Sequence, residues 1–477
     1  MPHEGIVFER GFKLKYICYY YDVLVRQFVH YINDYSLLMR KICILILFSL
    51  ITHSVFPQSN AVIKRQIETS INSHYLSLEQ LYIHLHQNPE LSLREEKTAS
   101  IMARELRVLG LEVFENIGGY GVAAVLKNGK GPTVLIRTDM DALPVEEKTN
   151  LPYASKVRST NAAGAEVSVM HACGHDMHMT VFIGTARALV ETRRLWQGTV
   201  VMIAQPSEEN GLGAEAMLND GVYNKVPYPD YAIALHNHAE MEAGTIGYSA
   251  GPFMASVDMM DITVYGSGGH GAAPHQTVDP IVLSAQMILA FQTIVSREIS
   301  PLEPAVITVG SVHGGTGYNI IPDQVKLQLT LRSYSDEVRK QIISSIQNKS
   351  KFLALQAGLP DDKLPRITYN DSAPATINDE PLVSKLVVLF REVLGQQNVL
   401  EMEPSMVGED FSRFARHKEP IPYVMFWLGT VDPEQFEKKA DVPLPSLHSS
   451  TFRPLPEPTI KTGILALTLG ALDLLRD

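Results

Sequence analysis

The chain has 477 residues, of which 45% are hydrophobic and 19% are charged, and its formal net charge is −11. This length is too great for one ordinary domain and suits two or three, and the composition is that of a globular protein with a full-sized core. The negative charge argues against a nucleic-acid partner, which normally requires a basic face.

The amino-terminal part differs in composition from the rest of the chain. Arg40 and Lys41 precede an apolar run at 42–51, and a polar segment with small residues follows at 58–61. This order is typical of a secretory signal peptide, and the apolar run is well below the ~20 residues of a membrane span. A short buried helix is the alternative interpretation. We expect a signal peptide at 39–61, export to the periplasm or the extracellular space, and no stable membrane span.

The segment before this signal peptide is aromatic and irregular. Because a signal peptide begins with its positive residues, we interpret Met39 as the true start and residues 1–38 as a mis-annotated extension. Loss of the leader would also remove Cys18 and Cys43, so that Cys173 would be the only thiol of the exported protein. An unpaired thiol in an oxidising compartment is protected when a metal occupies it, which makes Cys173 a candidate ligand.

Residues 62–254 are predicted to form the first part of a catalytic domain. A helical pattern comes first and is broken at Asn88–Pro89. Apolar strands are predicted in the segments TVLIRTDMDAL, TVVMIAQPSEE and YAIALHNH, and an amphipathic helix follows HACGHDMHM. This alternation favours an α/β fold with a mainly parallel central sheet. Polar residues follow each strand, at the sheet edge where open α/β sheets bind their ligands.

The pattern changes near residue 255. Over 255–369 the order is strand, helix, two strands, helix, strand, which is typical of an α+β domain with an antiparallel sheet. We interpret this segment as a smaller domain inserted into the larger one. Residues 370–477 then supply a helix, an apolar strand and a closing helix, and form the second part of the catalytic domain.

The segment MHACGHDMHM contains the first candidate metal ligands. Cys173 and His175 are two residues apart, so their side chains fall on the same side of an extended loop. A thiolate and an imidazole suit zinc or a comparable metal, although structural zinc sites more often have paired C-x-x-C spacing. A buried thiol near unrelated histidines is the alternative for this segment alone.

Carboxylates follow two of the predicted strands. Glu208 and Glu209 are adjacent, so one could bind a metal while the other faces the reacting water as a general base. Asp139 and Asp141 could bind a metal or orient ligands from behind. The alternatives are a solvated acidic loop for the glutamates and capping of a turn for the aspartates.

Histidines complete the candidate set. His236 ends the apolar segment YAIAL and is followed by His238, while His448 lies in a Pro-rich segment near the carboxyl end. Together with Cys173, His175 and the carboxylates, these donors outnumber what a single tetrahedral site needs. The sequence therefore favours two metal ions.

An ordered set of motifs extends this prediction over roughly residues 75–475. The motifs are RTDMDALPVEE, MHACGHD, PSEENGLGAEAML, ALHNH, GGHGAAPH, GYNIIPD, LRS, GEDFS and LHSSTF. The set resembles the N-acyl-amino-acid amidohydrolases, which include hippurate hydrolases and auxin-conjugate hydrolases, within the aminoacylase and carboxypeptidase group of two-metal metallopeptidases. The resemblance implies a zinc-peptidase-like catalytic domain, with 255–369 as a lid through which many relatives form homodimers.

The resemblance also implies a role for each donor. Cys173 would bridge two divalent ions, His175 and His236 would complete the site of one ion, and Glu209 and His448 that of the other. His238 stands where many relatives have an aromatic or other residue, so either histidine of this strand could be the ligand, and the register favours His236. A leader is also unusual, since many relatives are cytoplasmic.

The remaining roles concern catalysis and substrate. By the resemblance, Glu208 is the general base, Asp141 the carboxylate behind the metals, and His270 the histidine that approaches the scissile carbonyl, in many relatives from a second subunit. Asn319 and Arg332 are implied to contact the carboxylate or carbonyl of the substrate. For Arg332 the alternative is a surface ion pair on a lid strand.

These residues predict hydrolysis of N-acyl-amino acids to a carboxylate and a free amino acid. Arg332 offers bidentate recognition of a free carboxylate, which suits such a substrate. The donor set does not distinguish Zn, Mn, Co and Ni. The alternatives are a metallo-carboxypeptidase or dipeptidase, which would use the same centre on a peptide bond, and a metal-binding protein without activity. The adjacent pair of Glu208 and Glu209 argues against the last.

Overall fold

The computed structural model describes residues 59–476 and the isolated residue 24. The predicted extension at 1–38, apart from residue 24, and the predicted signal peptide up to residue 58 lie outside the described residues. Residues 60–477 form one compact unit.

Helices and strands are interspersed along this unit. The α-helices are α1 Asn60–Gln87, α2 Glu96–Val108, α3 His175–Glu191, α4 Gly213–Asn219, α5 Val222–Lys225, α6 Pro280–Thr293, α7 Asp336–Gln356, α8 Glu380–Leu394, α9 Ser412–Ala415, α10 Pro433–Glu437 and α11 Pro456–Leu474. The strands are β1 Glu112–Ile117, β2 Gly121–Asn128, β3 Thr133–Asp139, β4 Arg158–Thr160, β5 Glu166–Ser168, β6 Gly198–Gln205, β7 Tyr231–Glu242, β8 Ile246–Tyr248, β9 Gly251–Met254, β10 Val257–Tyr265, β11 Gly269–His270, β12 Ala305–His313, β13 Ile320–Ile321, β14 Gln324–Ser333, β15 Arg366–Ala373, β16 Thr376–Asn378, β17 Val399–Glu401 and β18 Tyr423–Val431. Short 3₁₀ turns lie at 193–195, 274–276, 361–363 and 396–398, and a π-helical turn at 294–298 extends α6.

An eight-stranded mixed sheet forms the centre of the fold, in the order β1-β2-β6-β3-β7-β18-β8-β17. Its middle strands β6, β3, β7 and β18 are parallel, as the alternation of helix and strand predicted. Strand β3 shows why both faces are covered: Val134 and Ile136 pack among α1, α3 and α11 on one side, and Leu135 packs into a second core on the other. Strands buried on both faces are near-continuously apolar, which is what the sequence of β18 shows.

A separate four-stranded antiparallel sheet has the order β12-β14-β10-β15. Alternate residues of β14, such as Leu327 and Leu329, are buried beneath α6 and α7, while the other face carries polar or partly exposed side chains. Such alternation is typical of a sheet covered on one side. The predicted fold class is therefore confirmed, and the boundaries at 255 and 369 stay a prediction.

One helix of this second region is unusually apolar. Residues Pro280–Glu298 meet the length and hydropathy of a membrane span, a test that core helices also pass. Leu283, Met287 and Phe291 of this helix are buried and pack in the same core as the antiparallel sheet. Asp279 caps the helix, because its carboxylate accepts from the backbone N–H of Ile281 at 2.8 Å.

The structure differs from the sequence prediction at one strand near the site. His236 was expected at the end of its strand, but β7 continues to Glu242. The reason is its neighbour β18, which pairs with β7 in parallel from Ala232 to Glu242, with His236 opposite Trp427. His236 therefore lies in the middle of β7, where the strand is paired with β18.

Candidate metal centre

The loop before α3 brings Cys173 and His175 to the carboxyl edge of the central sheet. Gly174 between them has a φ of 78°, and a Cβ atom there would lie 2.2 Å from the Nδ2 atom of Asn237. That amide instead donates to the Gly174 carbonyl at 2.9 Å. Only glycine fits both the left-handed backbone and this close approach, so the turn that presents the two ligands requires Gly174 and its contact with Asn237.

Cys173, His175 and His236 form a first group of potential ligand atoms, all within 4.8 Å of one another and all from buried residues. The Sγ atom of Cys173 is 3.5 Å from the Nε2 atom of His236. The Nδ1 atom of His236 donates to the Asn237 carbonyl at 2.8 Å, which leaves Nε2 directed at the group. His238 is half-buried against Trp427 and belongs to no such group of described residues.

Cys173, Glu209 and His448 form a second group of the same dimensions. The Nε2 atom of His448 is 3.4 Å from a carboxylate oxygen of Glu209. His448 has a φ of 63°, and its backbone N–H donates to the Ala172 carbonyl at 2.9 Å, which ties its loop to the Cys173 loop. Because Cys173 belongs to both groups, its sulfur is the atom that two ions held here would share.

Glu208 and Glu209 separate at a turn after β6. Ser207 has a φ of 52°, and its backbone N–H donates to the buried carboxylate of Glu95 at 2.7 Å. The turn directs oxygens of both glutamates toward His175, whose Nε2 atom lies 3.9 Å from Glu208 and 3.7 Å from Glu209. Glu208 belongs to neither group that contains Cys173, but its carboxylate forms a further group of potential ligand atoms with His175 and Glu209.

Two aspartates contact the candidate ligands or their neighbours: Asp139 is the last residue of β3, and Asp141 follows the strand. Asp141 accepts from the Ser92 hydroxyl at 2.6 Å and from the Glu209 backbone N–H at 3.0 Å, and lies 3.4 Å from His175. Asp139 accepts from the Nδ1 atom of His178 at 2.7 Å. Since the Nε2 atom of His178 accepts from the backbone N–H of Asn237 at 2.8 Å, both ring nitrogens of this histidine are engaged, and the ring connects the end of β3 to β7.

The electrostatics of these groups fit divalent cations. Burial and the repulsion of Glu209 and Glu208 raise the pKa of the Cys173 thiol, and burial raises the pKa of Glu209 to about 8. Both ring nitrogens of His175 and an oxygen of Glu209 are buried without a hydrogen-bond partner. Buried polar atoms normally have partners, and a thiolate, imidazoles and carboxylates are donors that divalent metals accept. The residues present therefore fit two metal ions.

A buried ionic cluster beneath the centre was missed by the sequence analysis. Arg137, in the middle of β3, binds Glu409 through two hydrogen bonds of 2.8 and 3.1 Å, Asp139 at 2.7 Å and Asp410 at 3.2 Å. The oxygens of Glu409 and Asp410 lie within 4.8 Å of those of Glu208. An arginine inside the apolar segment VLIRTD was the available signal, because a buried guanidinium requires carboxylate partners.

The pKa of Glu208 reflects this surrounding. Burial is the largest cause that raises it well above its ordinary value, followed by the charges of Glu409 and Glu209. Arg137 opposes the shift. A carboxyl with a raised pKa is suited to take up a proton and hold it during a reaction.

The predicted lid residues divide into two sets. Arg332, on β14, lines the same cleft as Cys173 and Glu208. His270 and Asn319 are exposed and lie close together at the two-stranded antiparallel ribbon of β11 and β13, where the Gly271 N–H donates to the Asn319 carbonyl at 2.7 Å. Neither lines the cleft. We call β11 and β13 with their flanking residues the His270 ribbon.

The metal cleft is the cavity that these segments enclose, with a volume of about 550 Å³. Its floor carries the donor residues, and its walls come from the antiparallel sheet and from the loop at 405–408. The lining residues are Cys173, Glu208, Glu209, Gly211, His236, Val257, Met259, Arg332, Ala373, Ser405, Met406, Val407, Gly408, Glu409, Asp410 and His448.

Known proteins resemble this chain in sequence and in fold. The model of peptidase family M20/M25/M40 matches residues 135–444. Thermostable carboxypeptidase 2 of Saccharolobus solfataricus is 37% identical over 81% of this chain and 93% of its own length. Hippurate hydrolase of Campylobacter jejuni is 37% identical over 70% of this chain and 84% of its own. The solved structure of the Bacillus subtilis YXEP protein, described as a dinuclear metal-binding peptidase of the M20 family, superposes with a TM-score of 0.67 at 29% identity, over 85% of this chain and 99% of that one.

Proposed function

The chain belongs to peptidase family M20/M25/M40 and is a metal-dependent hydrolase of amide bonds, and from this premise we propose that its substrates are N-acyl-amino acids. The products are a carboxylate and a free amino acid. The observation that carries the proposal is the pair of ligand groups that share Cys173, with Glu208 beside them and Arg332 in the wall of the same cleft.

In this proposal the chain would hold two divalent ions. His175 and His236 would hold one ion, Glu209 and His448 would hold the other, and Cys173 would serve both groups. Bound divalent ions polarise an amide carbonyl and lower the pKa of a water molecule towards neutrality. The choice among Zn, Mn, Co and Ni is left to experiment, because a thiolate, imidazole and carboxylate set accepts each of them.

Glu208 performs the proton transfers. Its carboxylate takes a proton from the attacking water, and the resulting carboxyl donates that proton to the leaving amine nitrogen. The raised pKa of Glu208 favours the intermediate state in which the carboxyl holds the proton. Asp141 keeps the His175 ring and the Glu209 backbone in position.

Arg332 supports an acyl-amino acid as the substrate. The carboxylate of such a substrate is attached to the carbon that bears the scissile nitrogen, so it enters the cleft close to the reacting bond. A guanidinium on the cleft wall binds a carboxylate with two parallel hydrogen bonds. Arg332 is a wall residue of this kind.

A carboxypeptidase or dipeptidase is the second candidate. Thermostable carboxypeptidases of Saccharolobus solfataricus are as similar to this chain as the hippurate hydrolase is. A peptide with a free carboxyl end would present the same carboxylate to Arg332 and the same amide to Glu208. The two candidates therefore differ only in what lies on the acyl side of the bond.

A reconstitution assay tests the proposal. The protein is stripped of metal with a chelator, reloaded separately with Zn, Mn, Co and Ni, and assayed on N-acetyl-amino acids, N-benzoyl-amino acids and dipeptides. We expect at least one metal to restore activity and the acylated amino acids to be hydrolysed faster. Faster turnover of the dipeptides throughout the panel would favour the second candidate, and activity of the stripped protein would contradict metal dependence.

Two further expectations accompany this proposal. Export through the leader at 39–61 is supported by the charged and apolar order of that segment, and amino-terminal sequencing of the protein from its host tests it. A start within 1–38 in the mature protein would contradict it.

Homodimer formation through the lid is supported by the position of His270 and Asn319 outside the cleft of their own chain. Light scattering of the purified protein would measure the mass.

A further inference from the structure

One wall of the metal cleft lies on the open face of the antiparallel sheet. Asp258 pairs with Leu331 in antiparallel register, so the next residues outward, Val257 and Arg332, are cross-strand neighbours on the opposite face. Met259 follows Val257 on this same face, two residues along β10. Cross-strand neighbours have Cβ atoms about 5 Å apart. The arginine and the two apolar side chains therefore form one continuous surface.

The loop at 405–408 continues this apolar surface across the cleft. Met406 and Val407 line the cavity, and the loop is fixed to the strand that leads into β10. The Ala255 N–H lies 3.0 Å from the carbonyls of both Ser405 and Val407. These contacts hold the loop at 405–408 in a fixed position relative to the antiparallel sheet.

The junction between the two parts is very close. At Gly408 a Cβ atom would lie 1.8 Å from a methyl carbon of Val257, so the loop approaches the sheet as near as a backbone can. Val257, Met259, Met406 and Val407 together form what we call the apolar wall. Met259 is 41% exposed and Val407 is 47% exposed, although both belong to the catalytic cleft. A ligand in the cleft would cover them.

The substrate's own covalent structure decides which of its groups reaches the apolar wall. In an N-acyl-amino acid the carboxylate and the side chain are bonded to the same α-carbon, while the acyl group lies beyond the scissile bond. A carboxylate held by Arg332 therefore brings the side chain of the amino acid to the neighbours of Arg332. The acyl group is separated from the α-carbon by the scissile amide bond.

We propose that the apolar wall selects the amino-acid side chain of the substrate, with Met259 and Val407 as specificity-determining residues. This inference rests on the proposed function and names its preferred substrates: N-acyl derivatives of uncharged, apolar amino acids. Methionine is flexible and adapts to several shapes, so the wall accepts both branched and aromatic side chains. An acidic side chain meets an apolar surface with Glu409 and Asp410 nearby and is disfavoured.

Two substrate series separate the side-chain subsite from an acyl subsite. The first keeps the acetyl group and changes the amino acid among glycine, leucine, phenylalanine and aspartate. The second keeps leucine and changes the acyl group among acetyl, butyryl and benzoyl. The variants Met259→Ala and Val407→Ala come from the two parts of the wall, and Phe352→Ala, which is 63% exposed on α7 outside the cleft, is the control.

We expect the wild-type protein to prefer leucine and phenylalanine to glycine and aspartate. Either wall variant should lower kcat/KM for N-acetyl-phenylalanine about tenfold, because removing a few carbon atoms from an apolar subsite has effects of this size. The glycine substrate should be unaffected, the loss on leucine should be the same for every acyl group, and Phe352→Ala should match the wild type. A change of Met259 to Arg should raise the relative rate on N-acetyl-aspartate.

Other results overturn the inference. A loss that follows the size of the acyl group would make the apolar wall an acyl subsite. An equal loss on glycine and phenylalanine would mean that Met259 and Val407 affect only the general shape of the cleft. If the wild type hydrolyses dipeptides and not acylated amino acids, the proposed function fails, but the wall is then tested with dipeptides that differ only in the carboxyl-terminal residue. Dependence of the variants' loss on that residue would retain the inference.

Discussion

The metal cleft and the His270 ribbon are two parts of the same predicted active site, but they differ in how their residues are supported. The donor residues of the cleft are buried or tied to neighbouring loops by hydrogen bonds. His270 is exposed and stands outside the cavity that holds Glu208. Its ring accepts a hydrogen bond from the Ala272 N–H at 3.0 Å.

This difference separates the work that one chain performs alone from the work that needs another component. A site with fixed donors is preorganised for charge that develops during a reaction. An exposed histidine has no fixed target until a substrate, a moved lid or a second copy of the chain supplies one. The cleft should therefore bind metal in isolated subunits, whereas complete turnover should depend on which of these components the His270 ribbon contacts.

The largest effect is expected for Glu208→Ala. This change removes the proton acceptor but neither group of ligands that contains Cys173. We expect kcat to fall about 10²–10⁴-fold, the usual contribution of a general base, while two metal ions per chain are retained. Steady-state kinetics and elemental analysis of the same sample measure both quantities.

Glu209→Ala is the matched comparison at the neighbouring position. It should lose metal as well as activity, because Glu209 belongs to the group with Cys173 and His448. If Glu208→Ala also lost its metal, Glu208 would be a ligand and another group would have to accept the proton.

The second prediction concerns the internal support of the cleft. Arg137→Met leaves Asp139, Glu409 and Asp410 without their shared cation in a buried place. Removing one partner of a buried ionic cluster costs about 3–5 kcal/mol of the free energy of unfolding. Urea denaturation of the metal-loaded protein would measure this loss.

Arg104→Met provides the control for that experiment. Arg104 is 63% exposed and pairs with Glu105, and surface pairs contribute about 0–1 kcal/mol. A similar small loss for both variants would mean that the cluster around Arg137 is not what stabilises the floor of the cleft.

The third prediction tests the role of the His270 ribbon in turnover. His270→Ala should lower kcat about 10²–10³-fold, the size of effect seen when one donor to a developing oxyanion is removed. Because the side chain is exposed and packs against nothing in the cleft, the metal content and the free energy of unfolding should not change. Loss of metal in this variant would contradict the separation of the two regions.

Complementation distinguishes a second subunit from a moving lid. Glu208→Ala and His270→Ala should each be nearly inactive. A hybrid dimer of the two variants would have one site that combines an intact Glu208 with the intact His270 ribbon of the other copy. Mixing the two variants under conditions that exchange subunits should restore activity if His270 acts in the neighbouring site. Activity that stays at the level of the separate variants would show that each chain uses its own His270 ribbon.

Much of the fold was predictable because its signals are local. Apolar segments such as VLI in β3 alternate with amphipathic helices, and this periodicity alone predicts a mainly parallel sheet. The candidate ligands were also predictable, because Cys173, His175 and the glutamates follow strands or precede a helix at the sheet edge. Residue type and chain position together sufficed for these features.

The remaining features depend on partners that are distant in sequence. Arg137 requires Glu409, 272 residues away, and no local pattern identifies that pair. The length of β7 is set by β18, which pairs with it beyond His236. For His270 the resemblance supplied both a role and, from the second subunits of many relatives, a place outside the cleft of its own chain, and the motif GGHGAAPH alone indicated neither.

The smallest effect is expected from a second internal support, on the helix side of the centre. His86 of α1 is buried and donates to Asp176 at 2.6 Å and to Glu147 at 3.1 Å. Asp176 is the second residue of α3, directly after the ligand His175. This contact therefore connects α1 to the helix that begins at the metal centre.

The carboxylates make this support dependent on pH. Burial alone would lower the pKa of His86, but the hydrogen bonds and charges of Asp176 and Glu147 outweigh it and raise the pKa from 6.5 to about 10. Between these values the folded protein binds one proton more than the unfolded chain, so this contribution to stability decreases as the pH rises, by at most ~1.4 kcal/mol for each pH unit. It is fully present below pH 6.5 and lost near pH 10.

The variant His86→Asn lacks the titrating ring and isolates this contribution. The free energy of unfolding of the wild type should exceed that of the variant most at pH 6.5, and the difference should shrink towards pH 10. His84→Asn, at an exposed position of the same helix, is the control and should show no such trend. A difference between wild type and His86→Asn that stays constant over this range would mean that His86 stabilises the helix as a neutral ring. The side of the cleft near α1 would then be stabilised by packing, and charge would stabilise the cleft only at the cluster around Arg137.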